Sequence, residues 1–384
     1  MPDPLAWIDD ASALWSTRGL NRSLWPVAEG ESGRIVREGR SVRNFASNDY
    51  LGLAHDPRVV AAARRYGWGA GASPVVSGWT EAHESLARSL ADFERVESVL
   101  LYPTGYAANL GAITAVVGKG DVVYSDTLNH ACLIDGCRLS GATIRVYPHA
   151  DSDALAALMA GDAGTFRRAL IATDGVFSMD GDLAPIDRLA TIAETYGAML
   201  LVDEAHGTGV YGPDGRGAAS ELGVADRVTI KVGTLSKALG SVGGFVAGSR
   251  RLIDWLTNHS RTLIFSTASP PAVVAAAEEA LRIARAEPWR RDRVRAHGHR
   301  LGRALADLGF DVPTPSSPIV PVRVGDPSAA VAMSRRLEAA DCLVPAIRPP
   351  TVPEGTSRLR ISVSAGHSEA DIDALILAFR ESRA

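Results

Sequence analysis

The chain has 384 residues, 46% of them hydrophobic and 22% charged, with a formal net charge of −4. Such a composition suits a globular chain with a large core, long enough for two or three domains at roughly 100–200 residues each. The slightly acidic balance gives no sign of a nucleic-acid-binding surface.

Three cysteines, Cys132, Cys137 and Cys342, suggest neither a disulfide framework nor a zinc site, and no metal is expected. The first residues, MPDPLAWIDDASALW, are acidic and lack a basic stretch ahead of an apolar core, unlike a signal peptide. No apolar run reaches the roughly 18 residues of a membrane span. The expectation is a cytoplasmic protein without membrane or nucleic-acid partners.

In chain order, residues 1–45 read as an N-terminal arm, with a helix and then the polar turn EGESGR. Residues 46–275 alternate. Short apolar runs (SVLLY, DVVYS, ATIRVY, RALIATDG, AMLLVDEA, VTIKVG, GFVAG) are separated by Ala- and Leu-rich helical stretches such as YAANLGAITAVV and ACLIDGCRLS. Apolar strands alternating with helices predict an α/β domain, a mostly parallel sheet covered on both faces. Ligands of such sheets bind at the carboxyl ends of the strands. Residues 276–384 read as a smaller α+β domain. It begins with a long helical region, continues through SPIVPVRVG, CLVPAIRPP and SRLRISVSA, and closes with a helix from Ser368.

Two motifs point to chemistries that the chain does not support. DEAH, residues 203–206, matches a helicase box, but no phosphate loop of the form G-x-x-x-x-G-K-[ST] accompanies it. GTGVYG, residues 207–212, fits a dinucleotide fingerprint, but Pro213, Gly215 and Gly217 oppose the helix that should open there. The segment GTLSKALGSVGG is more informative. Lys237 lies among small and hydroxyl residues between two apolar runs, where partial burial lowers an amine's pKa and favours a Schiff-base role.

Lys237, Asp203 and Gly105 each follow a predicted strand, so all three can line one cleft. A cofactor with an aldehyde, a ring nitrogen and a phosphate would use them together. Lys237 would condense with the aldehyde and Asp203 would hold the ring nitrogen protonated. The backbone of Gly105 and Tyr106 at a helix start would bind phosphate, with Thr234 and Ser236 adding hydroxyls. That cofactor is pyridoxal 5′-phosphate.

The motifs FASNDYLGLA, YPTGYAANLGAI, SDTLNHACLIDG, TDGVFSMDGDLAPI, LVDEAHGTGVYG, GTLSKALGSVGG, FSTASPP and RPPTVPEGTSRLRIS extend over nearly the whole chain. In this order they resemble the α-oxoamine synthases, fold type I pyridoxal-phosphate enzymes with a large sheet domain and a small C-terminal domain. The resemblance implies that Lys237 forms the Schiff base and that Asp203 pairs with the pyridine nitrogen. His206 and Ser178 would approach the ring's phenolic oxygen, and His130 would stack on the ring. Arg360 would take the amino-acid carboxylate, and Asn48, Arg22 and Thr351 would face substrate, Arg18 competing with Arg22 for that role. A homodimer is also implied.

The resemblance further implies a decarboxylative condensation of an amino acid with an acyl thioester. The stretch AIRPPTVPEGTSRLRIS favours L-alanine with a pimeloyl thioester, carried by coenzyme A or by an acyl carrier protein. Ser73-Pro74-Val75 lacks the arginine that would pair a succinyl carboxylate, against a 5-aminolevulinate synthase. A glycine C-acetyltransferase of the same family is the alternative. A non-catalytic cofactor-binding protein is the rival of another class, opposed by the presence of both Asp203 and Lys237.

Overall fold

The structure is a computed structural model that describes residues 3–30, 33–313 and 317–382. Glu31 and Ser32 of the polar turn lie outside the described residues. The chain divides into two compact units, one of Asn48–Ser178 with Asp182–Val294 and one of Met1–Ser47, Met179–Gly181 and Arg295–Ala384.

The larger unit is built on a seven-stranded sheet. In spatial order its strands are Ser98–Tyr102, Gly244–Gly248, Ile230–Thr234, Met199–Asp203, Ala169–Asp174, Val122–Asp126 and Thr143–Tyr147. Six run in one direction. Gly244–Gly248 alone is antiparallel, pairing with both Ser98–Tyr102 and Ile230–Thr234. The central strands are buried along their length, as sheets covered on both faces require. Leu170, Leu201, Ile230, Val232 and Val246 pack against Ala108, Ala112 and Ile113 of helix Gly105–Val116, forming the core that fixes the strand ends.

In the smaller unit, strand Ser357–Ser362 lies between Ile319–Gly325 and Ala346–Ile347, antiparallel to both. A second sheet joins Ala28–Glu29, Arg34–Arg37, Arg40–Asn44 and Cys342–Leu343. The last helix, Glu369–Glu381, starts with a capping box between Ser368 and Asp371.

The division differs from the sequence-based one at both boundaries. Residues 1–45 are not a separate arm: Arg40–Asn44 pairs in parallel with Cys342–Leu343, and Ser362 donates its backbone N–H to Phe45 O. Such long-range pairing leaves no local periodicity to read. Residues 276–294 are not the start of the small domain. Helix Pro271–Ala286 packs on helices Pro57–Ala63 and Glu81–Glu94 of the larger unit through an alanine-rich buried face. The helix Trp289–Asp307 begins in the larger unit, and its part from Arg295 belongs to the smaller one.

Candidate active site

The carboxyl edge of the large sheet collects the chemistry. Strand Met199–Asp203 ends on Asp203, with His206 three residues on, and strand Ile230–Thr234 runs into the loop that carries Lys237. Lys237 is half-buried, and its Nζ lies 2.9 Å from Nε2 of His206. On the other side of that ring, Nδ1 is 2.6 Å from the hydroxyl of Tyr50, whose own contact is Asn48 Oδ1 at 3.3 Å.

Asp203 is buried, and its carboxylate is held on both oxygens. Asn109 donates Nδ2–H to Oδ2 at 2.7 Å, and the Ala205 backbone N–H donates to Oδ1 at 2.9 Å. Asp174 is the strand neighbour of Asp203 in register. Burial first, and the charge of Asp203 second, push the Asp174 carboxyl well above the ordinary carboxylate range. The His130 backbone N–H donates to it at 2.6 Å. The His130 side chain caps helix Ala131–Ser140 by accepting from Cys132 N. Its ring is partly in solvent, yet crowding by the protein lowers its pKa, against the pull of Asp203.

The start of helix Gly105–Val116 offers donors that would suit a phosphate-sized group. Thr104 caps this helix by accepting from Ala107 N at 3.0 Å, which leaves the backbone N–H groups of Gly105 and Tyr106 at the terminus without helical acceptors. Thr234 Oγ1 and Ser236 Oγ are 2.8 Å apart on the adjoining loop. Packing here excludes larger residues: a Cβ on Gly244 would stand 2.6 Å from Gly105 Cα, and one on Gly105 would meet the Thr234 side chain at 3.3 Å. A half-buried lysine amine, a buried carboxylate and a helix terminus with N–H donors and two hydroxyls beside it fit pyridoxal phosphate.

Of the residues singled out from sequence, the larger unit brings together Lys237, His206 and Asn48, places Asp203 and His130 around Cys132, and sets Thr234 and Ser236 beside Gly105. Tyr106 is half exposed, its hydroxyl donating to Asp135. Ser178 follows Phe177 in the turn closed by the Val176–Leu183 bridge and the Phe177 N to Asp182 O bond. In the smaller unit Arg360 is buried and donates Nη1–H to Ser362 Oγ at 2.8 Å. Also there, Arg22 donates to Thr351 Oγ1 at 3.1 Å, and Arg18 pairs instead with Glu354 at 2.6 Å.

Sequence reasoning passed over Asn109, Tyr50 and Glu204. Glu204, the second residue of DEAH, is fully buried and accepts from the N–H groups of Ala218 and Ala219, both at 2.8 Å. Burial raises its pKa, with Lys231 opposing. It anchors the glycine-rich turn rather than a nucleotide. Gly217, at φ 105°, lies so close that a Cβ would be 2.4 Å from the Glu204 carboxyl. The signal for Asn109 is a polar residue inside the otherwise apolar helix YAANLGAI.

The chain is 49% identical over 378 residues to an 8-amino-7-oxononanoate synthase of Alkalilimnicola ehrlichii, covering 97% of this chain and 96% of that one. It is 47% identical over 380 residues to the enzyme of that name from Methylococcus capsulatus, covering 97% and 98%. Among solved structures, a serine palmitoyltransferase of Sphingomonas wittichii superposes with a TM-score of 0.93 at 32% identity over 99% of this chain and 98% of that one. An 8-amino-7-oxononanoate synthase of Francisella tularensis gives a TM-score of 0.75 at 26% identity over 88% and 97%. The architecture is that of the fold type I enzymes, an α/β fold. The model of aminotransferase class I and II matches residues 40–379, and the chain belongs to that family.

Proposed function

We propose that this chain catalyses the 8-amino-7-oxononanoate synthase reaction of biotin biosynthesis: L-alanine and a pimeloyl thioester give the α-amino ketone, carbon dioxide and free thiol. The observation that carries the reading is the placement of Lys237 and His206 at 2.9 Å on the same sheet edge as the buried, doubly hydrogen-bonded Asp203. Relatives bearing that enzyme's name match it over nearly their whole length.

Pyridoxal phosphate, when bound, supplies the electron sink that stabilises negative charge at the amino-acid Cα. The residues of the chain do the rest. Gly105, Tyr106, Thr234 and Ser236 would hold the phosphate or its surroundings. Asp203, kept in place by Asn109 and Ala205 N, would pair with the pyridine N–H. His206 and Ser178 would approach the cofactor's phenolic oxygen, and His130 would cover the ring. Lys237 would hold the cofactor through its amine, and when that amine is free it would be the base that takes the Cα proton. Arg360 offers a planar fork of donors to a carboxylate, and Arg22, Thr351 and Asn48 are the further substrate-side residues. The acyl carrier is coenzyme A or a carrier protein, and the active form is a homodimer in the cytoplasm. Among the described residues no helix is long and apolar enough to cross a membrane.

The test is thiol release by purified protein given alanine or glycine with pimeloyl-, succinyl- or acetyl-CoA. Alanine with pimeloyl-CoA is the expected best pair. If glycine with acetyl-CoA is much better, the substrate assignment is wrong and the glycine C-acetyltransferase reading replaces it.

A further inference from the structure

Tyr50 has no role in the reading above, yet its environment is unusual for a core aromatic residue. Its side chain is fully buried. The ring does not stack on His206: the centroids are 6.0 Å apart and the planes are tilted by 58°. The contact is instead an edge-on hydrogen bond between the phenol oxygen and Nδ1, 2.6 Å apart. A phenylalanine would fill the same volume, so packing does not account for the hydroxyl.

Donor and acceptor accounting assigns the protons along the line Lys237, His206, Tyr50, Asn48. A lysine ammonium only donates. With Lys237 in that protonated form, Nε2 of His206, 2.9 Å away, accepts. In a neutral imidazole the proton then sits on Nδ1. That N–H points to the Tyr50 oxygen, which accepts, and the Tyr50 hydroxyl hydrogen remains to donate to Asn48 Oδ1. Each bond in the line has one donor and one acceptor.

We propose that Tyr50 is a positioning residue whose hydroxyl fixes His206 as the Nδ1–H tautomer, presenting Nε2 to Lys237 as a proton acceptor. Lys237 must lose a proton before its nitrogen pair can attack a carbonyl. That proton passes from Nζ to Nε2, the N–H electron pair stays on Nζ, and the resulting imidazolium keeps its Nδ1–H bond to Tyr50. The inference rests on Lys237 being the Schiff-base lysine.

The experiment uses the full chain labelled with 15N-histidine and stripped of cofactor, with two-bond proton–nitrogen correlations recorded for His206. His206→Gln identifies the signals by their loss. The wild type is expected to show an unprotonated Nε2 and a protonated Nδ1. Tyr50→Phe is expected to move the population toward Nε2–H and to slow capture of added pyridoxal phosphate about tenfold, while circular dichroism still reports the native fold. A wild-type ring protonated mainly on Nε2 overturns the proposal, and so does a Tyr50→Phe spectrum unchanged from wild type. The wild-type spectrum decides even where the variant folds poorly. Labelling of a lysine other than 237 by borohydride would instead break the underlying functional reading, so the two failures are distinguishable.

Discussion

Asn109 Nδ2 lies 2.7 Å from Asp203 Oδ2, joining a helix residue to a strand-end residue 94 positions later in the chain. Both side chains are buried. The amide fixes one carboxylate oxygen while the Ala205 N–H fixes the other, so the orientation of the carboxylate is set before any ligand arrives. Asn109→Ala removes a bond to a charged group, worth about 1.5–3 kcal/mol. Cofactor affinity, followed by absorbance titration, should weaken by about tenfold or more. An unchanged dissociation constant would show that Asp203 needs no such brace.

Asp203→Asn should keep the fold and still bind pyridoxal phosphate, because an amide fills the same space. It should lose most exchange of the amino-acid Cα proton with solvent, since a neutral amide does not hold the ring nitrogen protonated. Deuterium incorporation into bound alanine reads this directly, and near-normal exchange would contradict the assigned role.

Borohydride should fix the cofactor on Lys237. Lys231 is the instructive control: it is buried and ion-paired to Glu94, with its ammonium also donating to Arg216 O. Its amine is committed to structure. Lys231→Met leaves Glu94 without its partner inside the protein, and burial already raises that carboxyl's pKa. Removing one member of a buried pair costs about 3–5 kcal/mol. Urea unfolding should show a loss of that order, whereas Lys237→Ala should be close to neutral in stability.

A pH dependence of stability follows from His149. Its ring nitrogens contact Asp126 at 3.1 Å and Asp182 at 2.9 Å. Burial works against the cation, but the hydrogen bonds to the two carboxylates outweigh it and push the pKa from 6.5 up to about 10. A pKa raised on folding gives stabilisation that is complete below the unfolded value and fades as pH rises through the folded one. The wild type should therefore lose stability between about pH 6.5 and about pH 10, and His149→Gln should lose less over that interval. Parallel curves for the two proteins in chemical denaturation would rule the pair out as the source. Asp182 accepts the Phe177 N–H through its carbonyl, so the same ion pair anchors the turn that carries Ser178.

Much of this was readable in the sequence. The strands and the C-terminal elements follow local hydrophobic pattern, and Lys237 and Asp203 stand out because strand ends in such sheets face ligands. The reversed direction of Gly244–Gly248 was not readable, because an apolar run has no arrow. Tyr50 and Asn109 escaped for a related reason. Each is an ordinary residue locally, a tyrosine in an apolar run and an asparagine in a helix, and gains meaning only from a partner far along the chain. The unit boundaries were hidden likewise, since pairing of Arg40–Asn44 with Cys342–Leu343 leaves no local trace.

The antiparallel strand has a mechanical consequence for the lysine. Because Gly244–Gly248 returns directly beside Ile230–Thr234, the segment 235–243 is closed at its base by Leu235 N to Gly243 O at 3.0 Å and by Thr234 Oγ1 to the same carbonyl at 2.9 Å. Ser241 N to Leu235 O and Gly240 N to Lys237 O tighten it further. Lys237 is thus mounted on a rigid pivot, and its travel is confined to rotations about its own side-chain bonds. Such an amine could serve both of the tasks proposed for it without any backbone rearrangement, the two differing only in rotamer.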